Sequence, residues 1–131
     1  MANSLLKTLE NTYVEFNFRP SKRFSFRPPK TIYFVQDDEN FDSLILHELG
    51  HALLGHRDFK TDIERLKMER AAWEKGREVA KNLKITLNEE LIETELDSYR
   101  DWLHQRSKCH KCGLTRYQTP DGKYHCPKCE P

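Results

Sequence analysis

Two histidines four residues apart flank a glutamate in the run His47-Glu48-Leu49-Gly50-His51. On a helix an i, i+4 pair points the same way, so both imidazoles can hold one zinc ion. Glu48 lies beside them without being a ligand. A carboxylate there can accept the proton of a zinc-bound water, whose pKa the metal lowers towards ~7, and return it to a leaving amine. The chemistry expected is hydrolysis of a peptide bond, with Glu48 as the catalytic group. A five-residue pattern with three fixed positions also arises by chance. Here the flanking Leu44-Ile45-Leu46 and Ala52-Leu53-Leu54 mark a buried helix, where two imidazoles and a carboxylate are costly without a metal or partners.

A catalytic zinc takes three protein ligands and a water. His56 is the nearest further candidate, but the elongated motif H-E-x-x-H-x-x-G-x-x-H has its third histidine where this chain has Arg57. His56 therefore reads as a helix-end residue or one placed behind the ligands. Glu69 is the better third ligand. At 100° per residue it falls on the stripe of Leu66, Ala72, Trp73, Ala80 and Leu83, in the middle of an apolar face where a carboxylate wants a cation. The bland alternative is that Glu69 reaches out to a neighbouring base such as Arg65. Asp62 shares the stripe but sits at the helix start, where capping accounts for it.

Cys109-His110-Lys111-Cys112 and Cys126-Pro127-Lys128-Cys129 form two C-x-x-C knuckles separated by 13 residues. The spacing fits a short hairpin folding back on itself, turning at Asp121-Gly122, to close a four-thiolate site. Four thiolates leave no open position, so this second zinc is expected to be structural and to hold together a segment too short for its own core. A redox role is the competing view, but neither pair sits at a strand-to-helix junction of the thioredoxin kind. Arg106, Lys108, Lys111, Arg116, Lys123 and Lys128, with Tyr117 and Tyr124 able to stack, would allow contact with nucleic acid; solvated surface charge explains the same residues.

The stretch from Leu46 to His56, followed by Glu69 with an aromatic four places on at Trp73, resembles the ImmA/IrrE family of metallopeptidases. The resemblance covers roughly residues 13 to 83 and is specific around 46 to 56. It implies a small sheet packed on the zinc-binding helix. It also implies His47, His51 and Glu69 as zinc ligands, Glu48 as general base, and helix-turn-helix repressors as substrates. The family often reads Glu-Ala-Asn-x-Phe-Ala where this chain has Glu69-Arg70-Ala71-Ala72-Trp73-Glu74. A SprT-like, DNA-associated protease is the second enzymatic reading, since that family also joins H-E-x-x-H to a zinc ribbon. It uses a later histidine as third ligand, and only His104, His110 and His125 follow His56 here. A third reading is a non-catalytic zinc-ribbon adaptor.

The elements that position these residues follow from patterning. Leu5, Leu6 and Leu9 behind Ser4 predict a short opening helix. Residues 13–19 and 23–27 alternate apolar with polar and read as an antiparallel hairpin, and residues 31–35 form a third strand. The helix bearing the histidines is expected from about Phe41 to Leu54, with Gly55 as its stop. A charged helix should run from Thr61 to Leu83. Thr86-Leu87-Asn88-Glu89 resembles a capping box opening a third long helix, with Ile92, Leu96, Tyr99 and Leu103 on one face, ending near Ser107. The fold class is thus α+β: a small antiparallel or mixed sheet on the H-E-x-x-H helix, two further long helices and a C-terminal zinc ribbon. The expected domains are a metallopeptidase domain at 1–107 and a ribbon at 108–131.

Composition allows this and narrows the partners. A chain of 131 residues with 37% hydrophobic content can build one modest core. Twenty-two basic against 21 acidic side chains leave a net charge of +1, too little to draw the whole molecule onto nucleic acid or an anionic membrane. The start of the chain has no signal-peptide pattern and no apolar run reaches membrane-span length, so a cytoplasmic location is expected. The expected partner is a protein substrate.

Overall fold

The computed structural model describes residues 2 to 130, so Met1 and Pro131, the ends of the expected domain ranges, lie outside the described residues. The chain is mixed α and β: helix α1 (Ala2–Thr12), strands β1 (Asn17–Pro20), β2 (Ser25–Arg27) and β3 (Thr31–Phe34), helices α2 (Phe41–Leu53), α3 (Asp62–Leu83) and α4 (Glu89–Ser107), and strands β4 (Tyr117–Gln118) and β5 (Tyr124–His125). It divides into two compact units, Met1–Arg57 with Ala71–Glu89, and Asp58–Arg70 with Glu90–Pro131; α3 runs unbroken through the division. No helix among the described residues is long and apolar enough to cross a membrane.

In the first unit the sheet order is β1-β3-β2, with β1 parallel and β2 antiparallel to β3. This corrects the expected hairpin of the first two strands, because β3 lies between them. Ile32 and Phe34 are the buried residues of the sheet, whereas Phe18 and Phe26, which flank Ile32 from either side, are only half-buried. The most apolar strand takes the centre, where both edges are paired and one face is covered by α2. Ile45, Leu46 and Leu49 of α2 are fully buried, and Phe41 meets Phe24 and Phe34 edge-on at 6.1 and 5.8 Å between ring centroids.

Helix α3 approaches α2 closely because glycines allow it. A Cβ on Gly50 would overlap the backbone carbonyl of Ala72, and one on Gly76 would lie 3.0 Å from the carbonyl oxygen of Leu46. Thr61 caps the start of α3: the Glu64 N–H donates to the Thr61 hydroxyl oxygen at 3.3 Å, and that hydroxyl donates to the Glu64 carboxylate at 3.0 Å. The capping box expected at Thr86 is displaced, since α4 begins at Glu89: Asn88 precedes its first turn, and the Asn88 N–H donates to the Ser43 hydroxyl at 2.9 Å.

In the second unit Ile92 and Leu96 are buried, while Tyr99 and Leu103 on the same face of α4 are half-buried. The Arg65 guanidinium lies over the rings of Trp102, Tyr99 and Phe59, 4.8, 5.2 and 5.4 Å from their centroids.

Candidate metal centres

The histidines are set by the end of α2 as much as by its interior. Both are buried, and their Nε2 atoms lie 3.2 Å apart. Two imidazole nitrogens bound to one tetrahedral zinc at roughly 2.0–2.1 Å would be separated by about 3.3 Å. The pair is therefore already spaced for a shared cation. Trp73 of α3, almost fully buried, stacks on His47 with ring centroids 4.0 Å apart and planes 23° from parallel, which fixes the plane of that imidazole.

Just beyond His51 the helix stops. Gly55 adopts φ 67°, its N–H donates to the Ala52 carbonyl at 3.1 Å, and the His56 N–H donates to the His51 carbonyl at 3.0 Å. These are the two bonds of a Schellman motif, which needs a left-handed residue at Gly55 and carries the next side chain back over the last turn. The side chain brought back is His56, whose Nδ1 lies 2.9 Å from Nδ1 of His51.

One carboxylate oxygen of Glu69 and one ring nitrogen from each of His47 and His51 lie within 4.8 Å of one another. Glu69 is half-buried on α3, one turn before Trp73 on the same stripe. Its carboxylate also acts on Tyr99, whose phenol is pushed above its ordinary value by burial first and then by the Glu69 charge, with Arg65 opposing. Glu48, on α2 directly after His47, is half-buried. Two imidazoles and a carboxylate make a nitrogen and oxygen donor set of the kind that suits zinc.

The second group is Cys109, Cys112, Cys126 and Cys129, whose sulfurs all lie within 4.8 Å of one another. Cys112 and Cys126 are 3.5 Å apart, close to the roughly 3.8 Å expected for two thiolates at about 2.3 Å from one tetrahedral zinc. Backbone N–H groups of Cys112 and Lys111 bring the Cys109 thiol down to about 6, and that of Cys129 lowers Cys126; hydrogen bonding with Cys112 and burial push Cys129 up to about 12. Thiols crowded this closely cannot all ionise unless a cation joins them. The knuckles are held by an antiparallel β4–β5 pair that turns at Gly122, φ 90°, on the Asp-Gly step expected from sequence.

Asp62, read from sequence as a cap, does more in this unit. Its buried carboxylate accepts from Arg106 Nε at 2.7 Å and from the Tyr124 hydroxyl, and its N–H donates to the Gln118 side chain at 2.7 Å. Burial and the Asp62 carboxylate together push the Tyr124 phenol up to about 12. Nothing in the sequence pairs residue 62 with residues 118 and 124. For Gly50 and Gly76 the sequence does carry a signal, since two glycines inside helical segments mark close backbone approach.

Set against known proteins, the chain matches no family model, no curated protein and no solved structure.

Proposed function

We propose that this chain is a zinc-dependent endopeptidase that acts on an intracellular protein, with a helix-turn-helix repressor as the first substrate to try. The observation that carries the reading is the convergence of His47, His51 and Glu69, with Glu48 next to the first of them on α2. A zinc ion bound there would supply Lewis acidity and make water a nucleophile near neutral pH.

The chain's own residues supply the rest. Nε2 of His47 and of His51 would each offer a lone pair to the metal, and Trp73 stacked on His47 keeps that ring from turning. Glu48 moves the proton: its carboxylate oxygen takes one from the attacking water and delivers it to the nitrogen of the departing amine. Glu48 is adjacent to His47 on the same helix, beside the proposed ligands and outside the donor set. The four cysteines would hold a second zinc, which would supply folding energy to the ribbon. The choice of repressor as substrate comes from the family resemblance.

The test is Glu48→Gln in the zinc-loaded full chain, assayed on a purified helix-turn-helix repressor from a neighbouring gene. The amide keeps the shape and loses the base, so both zincs and the fold should persist while cleavage stops. A Glu48→Gln protein that still cleaves, or a wild-type chain that binds zinc only at the cysteines, overturns the reading.

A further inference from the structure

His56 follows a glycine at the end of α2, outside the His-Glu-x-x-His pattern, and the proposed mechanism gives it no task. In a Schellman motif the residue after the left-handed position packs on the residue five places earlier, commonly through an apolar contact. Here those residues are His56 and His51, and the contact is nitrogen to nitrogen at 2.9 Å, with the rings 5.1 Å apart at 64°. The cap is complete in its backbone bonds, so the meeting of the two imidazoles is built by the helix end.

The two Nδ1 atoms can hydrogen-bond only if one carries a proton and the other offers its lone pair. His51 Nε2 is the nitrogen that faces His47 Nε2 at 3.2 Å, the spacing for a shared cation. A nitrogen that binds a metal carries no proton, so in neutral His51 the proton resides on Nδ1, and His56 Nδ1 is the acceptor. The geometry points to His56 as a positioning residue that locks His51 in the Nδ1–H tautomer and aims its Nε2 lone pair at the metal. This inference rests on the reading of His47 and His51 as metal ligands. It assigns a metal-site role to a residue outside the donor set.

Asparagine separates this role from bulk and from direct ligation, because its Oδ1 lies near the place of a histidine Nδ1 and can accept the same proton. The experiment uses the full chain with its cysteine site filled and reads the second zinc by competition with a chromophoric chelator. Loss of a ligand's hydrogen-bond partner costs about 10–100-fold in metal affinity. His56→Ala should weaken the second zinc by that factor, and His56→Asn should recover most of it. In the zinc-loaded protein, long-range proton–nitrogen NMR should show His51 protonated at Nδ1 and metal-bound at Nε2.

Unchanged affinity in His56→Ala overturns the inference while leaving the metal site standing. So does a metal-bound nitrogen on His56, which would make it a ligand. If the wild-type chain takes up no second zinc, the underlying reading and this inference fall together, and the chelator titration shows that before any variant is made.

Discussion

Trp73 lies flat against His47, with ring centroids 4.0 Å apart, and Trp73 is almost fully buried while carrying this contact. One side chain thus serves the core of the first unit and the orientation of an imidazole. Trp73→Ala should cost about 3–5 kcal/mol of stability, the usual range for emptying a large aromatic site. Trp73→Phe should cost less while still loosening His47. Thermal unfolding and zinc titration of the two variants check this: a Phe variant with full stability and unchanged zinc affinity would show that the stack is only packing.

Gly50 should be intolerant of a methyl group. Alanine gains roughly 1 kcal/mol over glycine within a helix, but a Cβ here would overlap the Ala72 carbonyl, and backbone cannot swing aside as a side chain can. The expected net result is destabilisation of about 1–3 kcal/mol, as in overpacked cores. Gly76→Ala, with its Cβ 3.0 Å from the Leu46 carbonyl oxygen, should be milder because a few tenths of an ångström suffice. Denaturant unfolding of both variants tests the order, and Gly50→Ala as stable as wild type would contradict the close approach of α2 and α3.

How much of this was legible before the structure differs between elements for physical reasons. The H-E-x-x-H helix and the cysteine knuckles could be read because short-range spacing fixes their geometry. The centre of the sheet could not: all three strands are 3–4 residues long and carry aromatics, and only burial shows that Ile32 and Phe34 belong inside. The Thr61 cap has the same Thr-x-x-Glu pattern as the capping box expected at Thr86, and the pattern alone does not say which threonine caps a helix. Asp62 and Tyr124 are 62 positions apart, a pairing that no local rule reaches.

A pH effect is expected from Glu89, which accepts two hydrogen bonds from Arg77, at 2.7 and 3.2 Å. Those bonds hold its carboxyl below the ordinary value. A depressed folded-state pKa stabilises above the ordinary glutamate range, and the contribution fades as the pH falls through the lowered value. Both side chains are substantially exposed, so water and salt screen the pair and it should be worth about 0.2–1 kcal/mol at neutral pH. A double-mutant cycle with Arg77→Gln and Glu89→Gln should give that coupling at pH 7 in low salt, and the coupling should shrink as the pH falls through the lowered value. Coupling that persists in acid would rule out the charge as its source.

Cys112→Ser should release one zinc, and its effect should travel along the second unit. The ribbon holds Asp62 through Tyr124 and Gln118, and a Cβ on Gly122 would lie only 2.7 Å from the Lys60 carbonyl oxygen. Loss of the thiolate site should therefore raise hydrogen exchange both in residues 108–130 and in the first turns of α3. Exchange confined to the ribbon would show that the Asp62 contacts do not depend on its fold.

On the proposed reading Glu69 is the third ligand and the one on which the site would most depend, because two histidines alone would leave a zinc ion with two exchangeable positions. Its carboxylate oxygen lies within 4.8 Å of both imidazole nitrogens, on the stripe that also carries Trp73. Glu69→Ala should weaken zinc at the histidine pair and lower peptidase activity even with zinc restored, because a softer shell holds the metal in no single geometry. The cysteine zinc should stay, since its four sulfurs form a separate group. Glu64→Ala is the control on the same helix: Glu64 is exposed and bonds Thr61, so its loss should fray the start of α3 and leave both zincs bound. Zinc stoichiometry after dialysis against a mild chelator distinguishes the variants. If Glu69→Ala retains two zincs per chain and full activity, Glu69 is a carboxylate that acts on Tyr99, and the third ligand must be sought among other residues.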